Sequence, residues 1–173
     1  MSRRPLIIDC DPGIDDAQAI MLCQGSDQFD IVGITSVSGN VSLENASRNA
    51  AYVADLLGLE CPVAQGAARP LIFEMPKNSN YGSSGMGSVD MPENSRPYYS
   101  KPAWELIYEK AKENEGKLEI LAIGPLTNLA IAVLKYPRLT EYVRRIVIMG
   151  GSVRAGNVTP YAEFNIYQDP FAA

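Results

Sequence analysis

Apolar positions along the chain fall into short runs separated by polar and glycine-proline punctuation. Leu6–Cys10 is such a run and stops at Asp11-Pro12-Gly13, which predicts a buried strand ending in a turn. Ala17, Ile20, Met21 and Cys23 then repeat at helical spacing over 15–24. Gly25 is the stop signal, and Asp15 and Asp16 sit where a helix N-terminus favours negative charge. Phe29–Val37 is β-branched and apolar, a second buried strand ended by Ser38-Gly39-Asn40. Ser42 is a good N-cap for a helix to about Leu57, with Ala46, Ala50, Val53, Ala54 and Leu57 on its inner side and Gly58 closing it. Pro62–Gln65 is a weak third strand.

Residues 66–101 lose this periodicity and are rich in breakers, which predicts a long active-site loop region. Within it, Gly82–Gly87 reads as a flexible lid rather than a dinucleotide-binding turn, because no clear strand precedes it. Pro102 then opens a helix to Asn114, with Trp104 as core. Leu118–Ile123 is a strand, Gly124–Asn128 turns into a helix reaching Lys135, and Arg145–Met149 is a last strand before Gly150-Gly151. Strands alternating with helices predict the α/β class: an open, mostly parallel sheet with helices on both faces. In that architecture ligands bind at the carboxyl ends of the strands. No repeat or linker divides residues 1–173, which read as a single α/β domain.

Composition narrows the chemistry. With 46% hydrophobic and 20% charged residues the chain is globular rather than disordered. A net charge of -5 argues against nucleic acid or an anionic membrane surface as partner. The chain has no histidine, which excludes Ser-His-Asp and Cys-His nucleophiles and any His-ligated zinc within it. Cys10, Cys23 and Cys61 are odd in number and form no metal or redox motif, so they read as buried reduced thiols. No signal peptide or membrane span is visible, and the expectation is a soluble, cytoplasmic protein.

The predicted strand ends carry the candidate chemistry. Asp9, Asp11, Asp15 and Asp16 fall within eight residues after the first strand. Gathered in one mouth they repel one another unless a cation or hydrogen bonds compensate, and hard oxygen donors select Ca²⁺ or Mg²⁺ over zinc. An EF-hand loop starting at Asp9 fails, because its twelfth position is Ile20 instead of Glu. A haloacid-dehalogenase-type phosphatase also places two aspartates one residue apart after its first strand. It expects Thr or Val where this chain has Gly13, and it leaves Asp15-Asp16 unexplained.

The constellation resembles the inosine-uridine-preferring nucleoside hydrolase family. The segments that carry the resemblance are Asp9-Cys-Asp11-Pro-Gly-Ile-Asp15-Asp16, Ser38-Gly39-Asn40, Gly124-Pro125-Leu126-Thr127-Asn128, Met149-Gly150-Gly151, and Gly156–Pro160 leading into Ala162-Glu163-Phe164-Asn165. They occur in the family's order over nearly the whole chain. The resemblance implies an open α/β fold with a Rossmann-like core and Ca²⁺-dependent hydrolysis of the ribose–base bond of a ribonucleoside. By motif position, Asp11 and Asp16 would hold the metal through their carboxylates and Thr127 through its backbone carbonyl. Asp15 and Asn40 would hold ribose hydroxyls, and Asn157, Glu163 and Asn165 the remaining ribose edge. Asp11 would also be the general base for a Ca²⁺-bound water. The family suggests a homodimer or homotetramer. Such chemistry is physically apt, since carboxylates and amide oxygens stabilise oxocarbenium charge on ribose.

Each position also has a plainer reading. Asn40 fits a turn after Gly39. The Thr127 side chain fits a helix N-terminus. Glu163 and Asn165, two apart, would face the same way on an extended, solvated edge. Two features depart from the family. Tyr81 stands where the family commonly has His. Asp169-Pro170 reads as an N-cap and first position of a further helix, followed only by Phe171, Ala172 and Ala173. The sequence is thus expected to be the N-terminal half of a longer fold, with a further Asp for the metal and a His near the leaving base beyond Ala173. The rival to an enzyme is a non-catalytic remnant or binding module that keeps ribose or metal affinity.

Overall fold

The computed structural model describes residues 3–73, 82, 84–89, 91–94 and 96–173. Five parallel strands form one sheet in the order β3-β2-β1-β4-β5. They are β1 (Arg4–Cys10), β2 (Phe29–Ser36), β3 (Val63–Gln65), β4 (Leu118–Ala122) and β5 (Val143–Ile148). The helices are α1 (Ile14–Gly25), α2 (Leu43–Leu56), α3 (Ala103–Glu113), α4 (Thr127–Lys135), α5 (Leu139–Tyr142) and α6 (Phe164–Gln168). None of the helices among the described residues is long and apolar enough to cross a membrane.

Alternation along β1 splits the core in two. Leu6, Ile8 and Cys10 pack with Ala17 and Ile20 of α1 and Ala50, Val53 and Ala54 of α2. Ile7, on the opposite face, joins Ile120 of β4, Ile107 and Ala111 of α3, and Leu129 and Ala132 of α4. Ile7 and Ile8 are fully buried, and burial of each contributes about 1.5–3 kcal/mol. β1 is therefore the central strand, covered on both faces, and its carboxyl end opens between β2 and β4. Local signals set the helix ends. Ser42 Oγ accepts the Asn45 amide at 3.3 Å, and Gly58, at φ +63, follows the last turn of α2. Trp104 packs against the α3-side core, as its position on the helix predicts.

The structure departs from the sequence reading in four places. The single-turn helix α5 has too few residues to carry a periodic signal. β5 starts two residues earlier than expected and is exposed along its length after Val143, because few of the described residues pack on its faces, whereas β3, the other edge, is largely buried. Glu163 and Asn165 are not on an extended edge. Glu163 is the N-cap of α6, and its carboxylate accepts the backbone N–H groups of Asn165 and Ile166. Asp169-Pro170 does not begin a helix of its own. Asp169 follows α6 as its C-cap, residues 170–172 form a turn, and the Asp169 side chain turns inward. Among the described residues of 66–101 there is no helix or strand; the Tyr99 N–H donates to the Val63 carbonyl of β3 at 2.8 Å, and Met86 joins the core on that side of the sheet.

One buried charge lies far from the strand carboxyl ends. Glu119, near the start of β4, pairs in register with Leu6 of β1 and Arg145 of β5. Its carboxylate meets Arg4 Nη1 at 3.2 Å and Arg145 Nη2 at 2.9 Å, with Arg144 at 3.8 Å.

Candidate active site

The β1 carboxyl end gathers three buried carboxylates. Asp9 and Asp11 are fully buried and Asp16 is 4% exposed. Asp9 Oδ1 accepts hydrogen bonds from Thr35 Oγ1 at 2.5 Å and Asn128 Nδ2 at 2.8 Å, while Oδ2 has no partner. Asp11 Oδ2 accepts the Asn40 backbone N–H at 2.5 Å, and Asp11 Oδ1 has no partner. Asp16 Oδ2 accepts the Gly13 N–H at 3.3 Å, which also fixes the start of α1. Gly39 and Gly124 close around Asp11. A Cβ on Gly39 would lie 2.1 Å from Asp11 Oδ2, and one on Gly124 would lie 2.9 Å from Oδ1.

The cluster is costly in its charged form. Burial pushes the Asp9 carboxyl up to about 6. Burial, reinforced by Asp16, raises Asp11 well above the ordinary carboxylate range. Burial and then Asp15 push Asp16 up to about 7. None of the ion pairs among the described residues includes Asp9, Asp11 or Asp16. Burial and the neighbouring aspartates also hold the Cys10 thiol up, so it is a packing group rather than a nucleophile.

The other expected site residues divide into two sets. Asp15 is exposed at the first turn of α1, and Asn40 is half-buried beside Asp11. Thr127, 1% exposed, starts α4, and its hydroxyl donates to Asp169 Oδ2 at 2.7 Å instead of capping the helix. These surround the mouth formed by β1, β2 and β4. Glu163 and Asn165 are buried at the ends of β4 and β5 and already engaged. Glu163 Oε2 accepts the Gly151 N–H at 3.2 Å, and Asn165 Nδ2 donates to the Ile123 carbonyl at 2.8 Å and the Met149 carbonyl at 3.1 Å. Asn157 is exposed in the segment between β5 and α6, and no hydrogen bond links it to the carboxylates. Tyr81 lies outside the described residues.

Three residues in this region were absent from the sequence-based set. Asn128 joins Asp9 to the Ser36 carbonyl, through Nδ2 at 3.0 Å, and accepts the Ala67 N–H at 2.8 Å. Asn49 interrupts the apolar stripe of α2, a signal visible in the sequence. Its Nδ2 donates to the Pro12 carbonyl at 2.8 Å and the Ser84 carbonyl at 2.7 Å, so part of the 66–101 region docks on the acidic turn. Asp169 is the third.

The donor chemistry was tested against a metal. Asp11 and Asp16 are hard carboxylates close enough to repel, and one oxygen of Asp11 is buried without a partner. Both properties suit a hard divalent cation. Yet among the described residues no group of three or more His, Cys, Asp or Glu could hold one. The pair fits a cation as part of a donor set and needs further oxygens.

The family model described as inosine-uridine preferring nucleoside hydrolase matches residues 6–173. Uridine nucleosidase 1 of Arabidopsis thaliana is 44% identical over 97% of this chain and 51% of its own length. The non-specific ribonucleoside hydrolase RihC of Escherichia coli is 44% identical over 99% of this chain and 57% of its own. Among solved structures, a purine-preferring ribonucleoside hydrolase from Gardnerella vaginalis superposes with a TM-score of 0.93 at 36% identity, covering 98% of this chain and 56% of its own. The plant nucleoside hydrolase PpNRh1 gives 0.92 at 37% identity, covering 98% and 55%. The chain spans about half the length of the relatives it matches.

Proposed function

The chain belongs to the inosine-uridine preferring nucleoside hydrolase family, and from that premise we propose that it carries the sugar- and cation-binding half of a ribonucleoside N-ribohydrolase. The membership sets aside the phosphatase alternative. The observation that carries the proposal is the meeting of Asp11 and Asp16 at the end of β1, with one Asp11 oxygen buried and unpartnered.

In this reading Asp11 and Asp16 hold Ca²⁺ through their carboxylates and Thr127 through its carbonyl. When bound, Ca²⁺ lowers the cost of ionising a water and anchors a sugar diol. Asp11 accepts the proton of the attacking water. Its burial raises its basicity toward that task, and the Asn40 N–H holds one oxygen while the other stays free. Asp15 and the Asn40 side chain stand at the rim, where they bind ribose hydroxyls. Negative charge in the mouth favours the oxocarbenium character that develops as the base departs. Glu163, Asn165 and Asn157 bind the remaining ribose edge. For Glu163 and Asn165 this requires sharing hydrogen-bonding capacity with the backbone groups they hold. The protein acts in the cytoplasm on nucleoside salvage as a homodimer or homotetramer, a placement supported by three free cysteines and by the exposed apolar edge at β5.

The incomplete donor set also supports a second reading, a binding module without turnover. Ribose release from inosine and uridine, with Ca²⁺ and with EDTA, tests both alongside calorimetry of Ca²⁺ and ribose. The 173-residue chain is expected to bind Ca²⁺ and release ribose weakly or not at all, whereas a relative of about twice its length, such as RihC, is expected to turn over under the same conditions. Phosphate release from a phosphomonoester, or no affinity for Ca²⁺, would sink the hydrolase reading.

A further inference from the structure

Asp169 is 1% exposed and fastens separated parts of the chain. Its Oδ2 accepts both Thr127 Oγ1 at 2.7 Å and the Leu71 N–H at 2.9 Å. Two residues further along, the Phe171 ring lies 5.7 Å from that of Phe73, centroid to centroid. The neighbour of Thr127 in α4 does the same at the other end of this segment. Asn128 Oδ1 accepts the Ala67 N–H, and its Nδ2 reaches back to Asp9. A side chain at position 66 would block this approach, since a Cβ there would lie 2.1 Å from Asn128 Oδ1. Residues 66–73 are thus held at Ala67, Leu71 and Phe73. They are the root of the long connection to α3; Asn128, which holds Ala67, and Thr127, which Asp169 ties to Leu71, both stand at the carboxylate mouth.

We propose that Asp169 is a positioning residue of this site: it locks Thr127 and residues 66–73 to each other, so that this root segment and the cation-side donors keep one arrangement. What it positions rests on the hydrolase reading above; what it holds rests on the hydrogen bonds alone. A carboxylate suits the task because one of its oxygens can accept an N–H and an O–H together. Removing it leaves two donors unpaired in a buried place. Its second oxygen, Oδ1, is buried and has no partner. An amide at 169 can keep both accepted bonds through its carbonyl oxygen, at the cost of an NH2 where Oδ1 has no partner, whereas a direct cation ligand would lose its charge.

The test uses the 173-residue chain with two readouts, amide hydrogen exchange and Ca²⁺ calorimetry. Asp169→Ala is expected to speed exchange at Leu71 roughly ten- to a hundredfold and leave Ala67 unchanged. It is also expected to weaken Ca²⁺ binding roughly ten- to a hundredfold, the usual effect of losing an outer partner of a ligand. Asp169→Asn is expected to restore both. Thr127→Val, which keeps the shape and removes the hydroxyl, is expected to weaken Ca²⁺ while Leu71 stays protected, and it decides the matter if Asp169→Ala does not fold. Unchanged Leu71 exchange in Asp169→Ala overturns the proposal. So does an Asp169→Asn variant that protects Leu71 yet binds Ca²⁺ as poorly as Asp169→Ala, because the charge would then act on the ion itself. Absence of Ca²⁺ affinity in the wild-type chain counts against the hydrolase reading, and Leu71 exchange then decides the fastening by itself.

Discussion

The two ends of the sheet treat a buried carboxylate in opposite ways. Glu119 lies near the amino end of β4, and arginines from β1 and β5 converge on it. Three residues along the register, Asp9 sits beside Ala122 at the carboxyl end, a separation of about 10 Å. There Asp9, Asp11 and Asp16 have no basic partner among the described residues and are held in part by hydrogen bonds from Thr35, Asn128, Asn40 and Gly13. A buried charge left unpaired destabilises a fold, while a paired one roughly breaks even. The chain therefore neutralises a buried carboxylate with arginines at one end of the sheet and leaves three without a basic partner at the other, where the proposed cation would sit.

The largest expected effect falls on the uncompensated end. In a chain extended to the length of its relatives, Asp11→Asn should lower ribose release about 10²–10⁴-fold, the range for losing a general base. A loss of less than tenfold would remove Asp11 from the chemistry. Next comes a contrast in sign, read by urea denaturation of the metal-free chain near neutral pH. Glu119→Gln should destabilise by about 1–3 kcal/mol, because the arginines lose a charged acceptor. Asp16→Asn should stabilise by about 1 kcal/mol while abolishing Ca²⁺ binding. Equal signs for the two variants would erase the distinction between the ends.

A smaller effect appears on titration. Carboxylates of an unfolded chain titrate near 4, whereas Asp9 and Asp16 in the native chain do so at about 6 and about 7. Between those values the native state holds more protons than the unfolded one. Stability without metal should therefore fall as pH rises from about 4 to about 7. The gain in melting temperature on adding Ca²⁺ should grow over the same window, since the ion displaces those protons. A gain independent of pH would mean that the ion binds elsewhere. Least is expected at β5. Val147→Lys, at a residue 47% exposed, should change stability by no more than about 0.5 kcal/mol yet reduce binding of a hydrophobic dye.

The legible parts of the molecule were those with local causes. Short apolar, β-branched runs marked β1 and β2, and Ser42 with its stripe marked α2, because burial and capping act on near neighbours in sequence. Asp11 and Asp16 were legible as a pair because a strand end and the first turn of a helix bring them together. Glu163 and Asn165 misled, since spacing of two suits a strand and a five-residue helix offers no periodicity to oppose it. The β5 run announced a strand but not its exposure, because an apolar run is the same whether or not a neighbour covers it. Asn128 reaches Asp9 across 119 positions and Asp169 reaches Leu71 across 98, distances at which only the folded chain shows a partner.

Asp11 is oriented by the main-chain N–H of Asn40, not by its side chain. Any residue other than proline at position 40 can supply that N–H. The scaffold thus separates what stays fixed from what can vary: the side chain at position 40, in the proposed ribose-binding role, can be redrawn by mutation while the orientation of Asp11 is inherited unchanged.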